Sequence, residues 1–417
     1  MRFSRKIYHL LMAGAVAQAR WDYEVSMSIM KNRKMVLLLG LMLLPILIFC
    51  FGEAQAYIGG KEAYMPAFYD TQIFAVSIAI GLIAGLITGC IGAGGGFIIT
   101  PALMAAGVKG ILAVGTDQFH IFAKAIMGTA VHKKLGNVSG KLALAFLAGS
   151  GIGTFVGGYV NRLFYNIDPI LSDMFISSIY ALLLGFLGFY AMFDFFRLAR
   201  AKTGGDAHGG PAGSGVPPLA VKVQNMKIPP MIAFDEDFVP GGRQISGVFV
   251  ALGGFVVGVL ASIMGVGGGF VTFPMFVYIF GVSSMTTVGT DIFQIIFTAG
   301  LSAIAQYAIY GFVFYTLAMG MLLGSLLGIQ IGALTTKVVK GIHIRGFYAL
   351  SIISGFINRA AALPKKATEL GYVSIPKGVT ENIEFVGNII FWISVALFGI
   401  WVFGKFFAKM GELRRED

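Results

Sequence analysis

The chain has 417 residues, of which 57% are hydrophobic and 12% charged, and its mean hydropathy is +0.81. A soluble domain carries roughly 25% charged residues, so this chain has too little polar surface to face water and belongs in a bilayer. The formal net charge of +11 does not indicate nucleic acid, because the basic residues flank apolar spans, where they set topology; Cys50 and Cys90 both sit in apolar runs and offer neither a disulfide framework nor a zinc spacing.

Residues 1–34 read as a cytoplasmic extension ending in Lys31, Arg33 and Lys34. Residues 35–56 follow as an apolar run closed by Ala54-Gln55-Ala56, which fits either an uncleaved membrane anchor or a signal peptide. A first membrane repeat, 73–198, holds apolar elements at 73–90, 97–106, 112–131, 142–160 and 174–198. The stretch 199–242 is rich in Gly and Pro, carries Asp235-Glu236-Asp237, and reads as a solvated, flexible cytoplasmic linker. A second repeat, 245–363, holds elements at 245–263, 270–280, 290–310, 312–334 and 344–363. A last span at 386–403 precedes a cytoplasmic tail, 404–417.

The two repeats share a text. Residues 81–117 read GLIAGLITGCIGAGGGFIITPALMAAGVKGILAVGTD, and 254–291 read GFVVGVLASIMGVGGGFVTFPMFVYIFGVSSMTTVGTD. Gly81, Gly85, Gly94–Gly96 and Pro101 match Gly254, Gly258, Gly267–Gly269 and Pro274. After one inserted residue, Gly115-Thr116-Asp117 matches Gly289-Thr290-Asp291. Further on, Gly149, Gly153 and Gly157 match Gly324, Gly328 and Gly332, a spacing that suits close helix packing. A repeat of apolar segments broken by Gly and Pro marks a secondary transporter.

Charge sets the expected topology. If 97–106 and 112–131 together make no net crossing, Lys133, Lys134, Lys141, Arg197, Arg200 and Lys202 all fall on the cytoplasmic side. So do Lys337, Lys340, Arg345, Lys405, Lys409, Arg414 and Arg415. A continuous crossing over 73–106 would instead place Lys133, Lys134 and Lys141 outside. The segment 97–106 would span about 15 Å, half a membrane. Each repeat then crosses an odd number of times, and the second is inverted. The expected fold is an all-α polytopic membrane protein with two inverted repeats, Gly-broken re-entrant helices, and an extra helix at each end.

Two constellations are candidate sites. Unwound backbone is tolerated at membrane depth only where it is buried in protein or lines a polar cavity, and helix N-termini opening there favour anions. This points to Gly94, Gly95, Gly96, Gly267, Gly268 and Gly269, although small residues also permit bare packing. No Gly-Lys-Ser/Thr follows them, and Phe97 stands where a dinucleotide fingerprint needs Gly. The second constellation is a polar stripe: Asp117, His120, Lys124, Gly128 and His132 recur at steps of three or four and share a helix face. Its matches are Asp291, Gln294, Thr298, Ser302 and Gln306. In a bilayer such a face turns to protein or water. Lys124 pairs with Asp117 or with a substrate anion, or snorkels towards the inner surface. His120 reads equally as a hydrogen-bonded core residue, and His132, beside Lys133 and Lys134, as interfacial. Asp117 and Asp291 cap helices or carry protons. Thr116 and Thr290 offer hydroxyls to an oxyanion or are ordinary turn residues. No His-Glu-x-x-His or Gly-x-Ser-x-Gly is present, so no enzyme chemistry, metal or cofactor is indicated.

The stretches IGAGGGFIITPAL, MGVGGGFVTFPMF, VGTDQF and VGTDIF resemble the repeated signatures of the TauE/SafE-type sulfite exporter family, also called the 4-toluenesulfonate uptake permease family. The resemblance covers about 73–363. It implies a multi-pass permease of the bacterial inner membrane that moves sulfite, an organosulfonate or another small sulfur oxyanion, in some members driven by protons. The family's second motif more often reads Gly-Thr-Ser, so Asp117 and Asp291 depart from it. A carboxylate near an anion site repels substrate unless protonated or paired, which points to proton coupling. The resulting expectation is alternating access around a midplane site. Glycine amides, Lys124, His120, Thr116, Thr290 and Gln294 would bind the anion, with lipid and protons as the other partners. The alternative is a proton- or cation-conducting transporter using the two aspartates; an intramembrane enzyme or a scaffold is more remote.

Overall fold

The computed structural model describes residues 71–91, 95–134, 138–201, 218–235, 242–339 and 341–409. The expected N-terminal anchor, Gly94 and most of the C-terminal tail lie outside the described residues. Repeat 1 contains α1 (Thr71–Ile91), α2 (Gly96–Ala105), α3 (Gly110–Lys134), α4 (Gly140–Ile167) and α5 (Pro169–Ala201). A short α6 (Pro218–Asn225) and the strands β1 (Met231–Phe234) and β2 (Arg243–Ser246) follow. Repeat 2 contains α7 (Gly247–Met264), α8 (Gly269–Pro274, running on as a π-helix over Met275–Phe280) and α9 (Ser284–Leu301, running on as a π-helix over Ser302–Ala308). It closes with α10 (Tyr315–Val338) and α11 (Gly341–Glu369), and α12 (Lys377–Ala408) is the additional C-terminal helix.

Among the described residues, seven helices are long and apolar enough to cross a membrane, while Gly96–Ala105 and Val271–Phe280 are apolar but short. The all-α polytopic fold expected from composition is the one observed. Large apolar side chains stay exposed in helical stripes, such as Leu182, Phe186 and Phe189 on α5 and Ile393, Leu397 and Ile400 on α12. In water such patches would be a liability; against lipid they are the natural surface.

The glycine stripes build the central packing. On α1, a Cβ at Gly81 would lie 2.1 Å from the Met321 carbonyl oxygen, and one at Gly85 would lie 2.5 Å from that of Ser325. On α10, Gly324, Gly328 and Gly332 press in the same way on Ile78, Leu82 and Leu86. The pair α4–α7 repeats the pattern: Gly149, Gly153 and Gly157 meet Ala251, Phe255 and Val259, while Gly254 and Gly258 meet Phe146 and Ser150. Residue numbers rise together in both pairs, so each pair is parallel. Each contact also has its counterpart in the other repeat, Gly81–Met321 corresponding to Gly254–Phe146. This reciprocity is what a twofold relation between two copies produces. The repeats exchange helices, the first of each lying on the fourth of the other.

Other matched helices run in opposite directions. Gly115 of α3 lies against Tyr307, and Phe122 lies against Gly300 of α9, so numbers rise on one helix as they fall on the other. The pair α5–α11 behaves alike, with Gly185 at Phe356, Gly188 at Ile353 and Phe195 at Gly346.

The connector differs from the flexible form its composition suggests. Strands β1 and β2 pair antiparallel, from Met231↔Ser246 to Phe234↔Arg243. Val223, Ile232, Phe234 and Ile245 are buried with Leu142, Phe146, Phe276 and Phe280 of the membrane helices. Asp235 closes the contact: Ser283 donates its N–H to Oδ2 and its hydroxyl to Oδ1, both at 2.8 Å. Arg243 donates to the Gly281 carbonyl at 2.7 Å. Segments 202–217 and 236–241 of the connector lie outside the described residues.

Candidate functional site

Both glycine-rich segments break their helices as expected. Gly95 precedes α2 at φ 68, and Gly265, Gly267 and Gly268 precede α8 at φ 80, 66 and 96. Side chains rarely adopt this left-handed region, and glycine enters it without strain. The two breaks touch, since a Cβ at Gly96 would come within 3.1 Å of the Val266 backbone. Helix α3 passes beside both. A Cβ at Gly267 would meet Ile121 at 2.6 Å, and one at Gly265 would meet Val114 at 2.8 Å.

The carbonyl end of α7 is closed by protein. A helix leaves its last four carbonyls without partners, and hydrocarbon supplies none. Here Gln118 donates to Ala261 O at 2.6 Å, Tyr307 to Ser262 O at 2.5 Å, Asn161 to Ile263 O at 3.1 Å and Tyr180 to Met264 O at 2.5 Å. Four different helical segments thus converge on one broken end. None of these four donors is among the expected site residues: Gln118, Asn161 and Tyr307 sit beside Asp117, Arg162 and Gln306, and Tyr180 lies in an apolar run.

The first two residues of the α3 polar stripe are buried. Asp117 and His120 have no exposed surface. Thr100 donates to Asp117 Oδ2 at 3.0 Å, and His120 Nε2 lies 3.0 Å from Ser325 Oγ on α10. His120 Nδ1 and Asp117 Oδ1 are 3.7 Å apart, and among the described residues neither atom has a hydrogen-bond partner. One turn further, half-buried Lys124 donates to Thr88 Oγ1 of α1 at 3.4 Å. The charges of Lys124 and Asp117 also act on each other. Of His132, only its place on α3 is described.

The matched stripe of α9 is a hydrogen-bonded chain. Gln294 donates to Asp291 Oδ1 at 2.8 Å, Thr298 donates to Gln294 Oε1 at 2.6 Å, and Thr298 meets Ser150 of α4 at 3.1 Å. Ile121 and Ala125 of α3 cluster with Ile295 and Ala299 of α9. The structure therefore groups Gly95, Gly96, Asp117, His120 and Lys124 near the breaks, and links Asp291 and Gln294 in a chain on α9.

Thr116 and Thr290 serve the scaffold. Thr116 Oγ1 accepts the Phe314 N–H at 2.9 Å, and Thr290 Oγ1 accepts the Ser139 N–H at 3.0 Å. Phe314 and Ser139 are the cap residues of α10 and α4. Each threonine thus fastens the start of a helix in the other repeat, which leaves its O–H as the only donor for a solute. Among the described residues, no group of three or more His, Cys, Asp or Glu is placed to hold a metal.

Two arginines absent from the expected site make structural contacts, Arg162 partly exposed and Arg359 buried. Arg162 donates to the backbone and side-chain oxygens of Gln306 at 2.7 and 2.6 Å and stacks 4.1 Å over the Tyr310 ring. Arg359 on α11 is 3% exposed. An arginine within the apolar run 344–363 was the available signal.

Comparison with known proteins agrees with this architecture. The family model described as Sulfite exporter TauE/SafE matches residues 77–358. The chain is 26% identical over 275 residues to the Probable membrane transporter protein YunE of Bacillus subtilis (strain 168), a match covering 64% of this chain and 90% of that one. It is 25% identical over 264 residues to the Probable membrane transporter protein YjnA of the same organism, covering 61% and 87%. No solved structure matches the chain.

Proposed function

Because the chain belongs to the TauE/SafE sulfite exporter family, a family of membrane transporters and not of enzymes, we propose that it moves a small sulfur oxyanion, such as sulfite or an organosulfonate, across the bacterial inner membrane by alternating access. The observation that carries this reading is the buried cluster on α3. Asp117 Oδ1 and His120 Nδ1 lie 3.7 Å apart without hydrogen-bond partners among the described residues, one turn from Lys124 and beside the touching breaks. Ionisable groups inside a membrane span mark solute or proton paths by default. The Lys124 ammonium supplies positive charge for an oxyanion, the His120 imidazole a polar ring nitrogen, and the carboxylate a proton site. The antiparallel course of α3 and α9 supports inverted repeats, the plan in which one half rocks against the other around a fixed site.

The test is sulfite or sulfonate flux in proteoliposomes under an imposed pH gradient. Lys124→Ala is expected to abolish flux while the protein still inserts and unfolds cooperatively; full flux in that variant removes Lys124 from the mechanism. A second reading, proton or cation conduction, rests on the chain Asp291–Gln294–Thr298–Ser150. Flux that follows Na⁺ or K⁺ and ignores every anion would favour it.

A further inference from the structure

We propose that Arg359, with Asn358 and Asn388, forms a second anion-holding station between α5, α11 and α12; this rests on the anion reading above. Arg359 lies within the candidate span Gly346–Glu369 and is 3% exposed. Its Nε donates to Asn358 Oδ1 at 2.7 Å, and Asn358 in turn donates from Nδ2 to Asn388 Oδ1 of α12 at 2.6 Å. Among the described residues no carboxylate lies within 4.0 Å of the guanidinium. The titratable groups whose fields reach it are Tyr180, Asp173 and Glu384. Both acids are engaged elsewhere: Asp173 accepts from Gly110 N–H at 2.7 Å and pairs with Lys366 at 3.2 Å, while Glu384 pairs with Lys365 at 2.8 Å. Tyr180 donates its proton to Met264 O.

A buried guanidinium without a counter-ion is strongly disfavoured unless something else completes it. Its planar fork suits an oxyanion, which it binds through paired N–H groups. Tyr180 links this neighbourhood to the α7 break, so the station adjoins the central site and is separate from it. The matched family region ends at residue 358, so Arg359 and the whole of α12 lie beyond it.

The experiment is thermal unfolding of the purified full chain against increasing sodium sulfite, with sodium chloride holding ionic strength constant. Wild type is expected to gain stability with sulfite. Arg359→Gln should raise the half-effect concentration at least tenfold, and Arg359→Lys should restore part of the response. Asn388→Asp, which sets a carboxylate against Asn358, one hydrogen bond away from the guanidinium, should weaken the response as Arg359→Gln does, and it decides the matter if Arg359→Gln does not fold. Without sulfite, Arg359→Gln should unfold no earlier than wild type, since it removes an uncompensated charge. A wild-type sulfite response in both Arg359→Gln and Asn388→Asp overturns the station alone. No sulfite response in wild type overturns the anion reading and the station with it.

Discussion

His120 Nε2 stands 3.0 Å from Ser325 Oγ, a contact between the third helix of one repeat and the fourth helix of the other. Ser150, at the position of repeat 1 that matches Ser325, meets Thr298 at 3.1 Å. The two polar stripes therefore end on equivalent serines, each donated by the opposite repeat. Ser325→Ala removes a partner of a fully buried imidazole, a loss of about 1–3 kcal/mol. Transport should slow in the same variant, because His120 loses the contact that orients its ring. Unchanged stability together with unchanged flux would show that His120 takes another partner and that the serine pairing has no role.

The glycine stripes make a sharper stability prediction. Gly324→Ala and Gly149→Ala would place methyl carbons 2.0 and 1.7 Å from backbone oxygens of Ile78 and Ala251. Backbone atoms cannot rotate aside as side chains do, so the parallel helix pairs must separate. Overpacking typically costs about 1–3 kcal/mol, and here the expected result is loss of folded protein on extraction. Gly378→Ala and Gly404→Ala meet nothing within 4 Å and should behave like wild type. Equal yields of monodisperse protein from all four variants would contradict the close approach of α1 to α10 and of α4 to α7.

The convergence on the α7 end predicts the role of Tyr180. Tyr180→Phe keeps the ring and deletes only the donor to Met264 O. It leaves a carbonyl unsatisfied in a dry setting, which costs about 1–3 kcal/mol. Gln118→Leu should cost less, because Ala261 O keeps the Gly265 N–H at 2.8 Å. The two effects should add approximately, since each donor closes a different carbonyl. A thermal midpoint equal to wild type in both variants would mean that other donors reach those carbonyls.

Much of this was legible in advance. The repeat, the breaks at Gly95 and Gly268, and the inward turn of Asp117 and His120 follow from spacing alone, because a bilayer forbids polar faces and loose backbone anywhere else. The roles of Thr116 and Thr290 were not legible. A hydroxyl beside a helix start looks the same whether it serves a solute or the Phe314 and Ser139 amides. The hairpin was hidden because Met231–Phe234 and Arg243–Ser246 are four residues each, too short to show period against a Gly- and Pro-rich background. Arg359 was passed over because hydropathy averaging absorbs one charge in an apolar run.

The docked hairpin predicts a mechanical role for Asp235, whose carboxylate holds the cap residue of α9 through Ser283. Asp235→Ala removes both contacts, while Arg243 and the buried apolar face still tether the hairpin. The start of α9 should then become more open, read as faster amide exchange at residues 283–287. If α9 must shift during transport, flux should change along with exchange. Identical exchange in Asp235→Ala and wild type would show that the apolar face alone holds this junction.

Topology is open to direct labelling in a background in which Cys50 and Cys90 are replaced. Lys141 and Arg200 are exposed at the start of α4 and the end of α5. Both are expected on the cytoplasmic side, where excess Lys and Arg collect. Lys365 and its partner Glu384 lie where α11 gives way to α12, one crossing from the α10–α11 turn, and are expected on the opposite face. Cysteines at 141 and 200 should react with an impermeant maleimide only after the inner face is exposed, and a cysteine at 365 in intact cells. Reaction of 141 and 200 from opposite faces would break the odd number of crossings per repeat. The antiparallel course of α3 and α9 would then need a different explanation from inversion across the membrane.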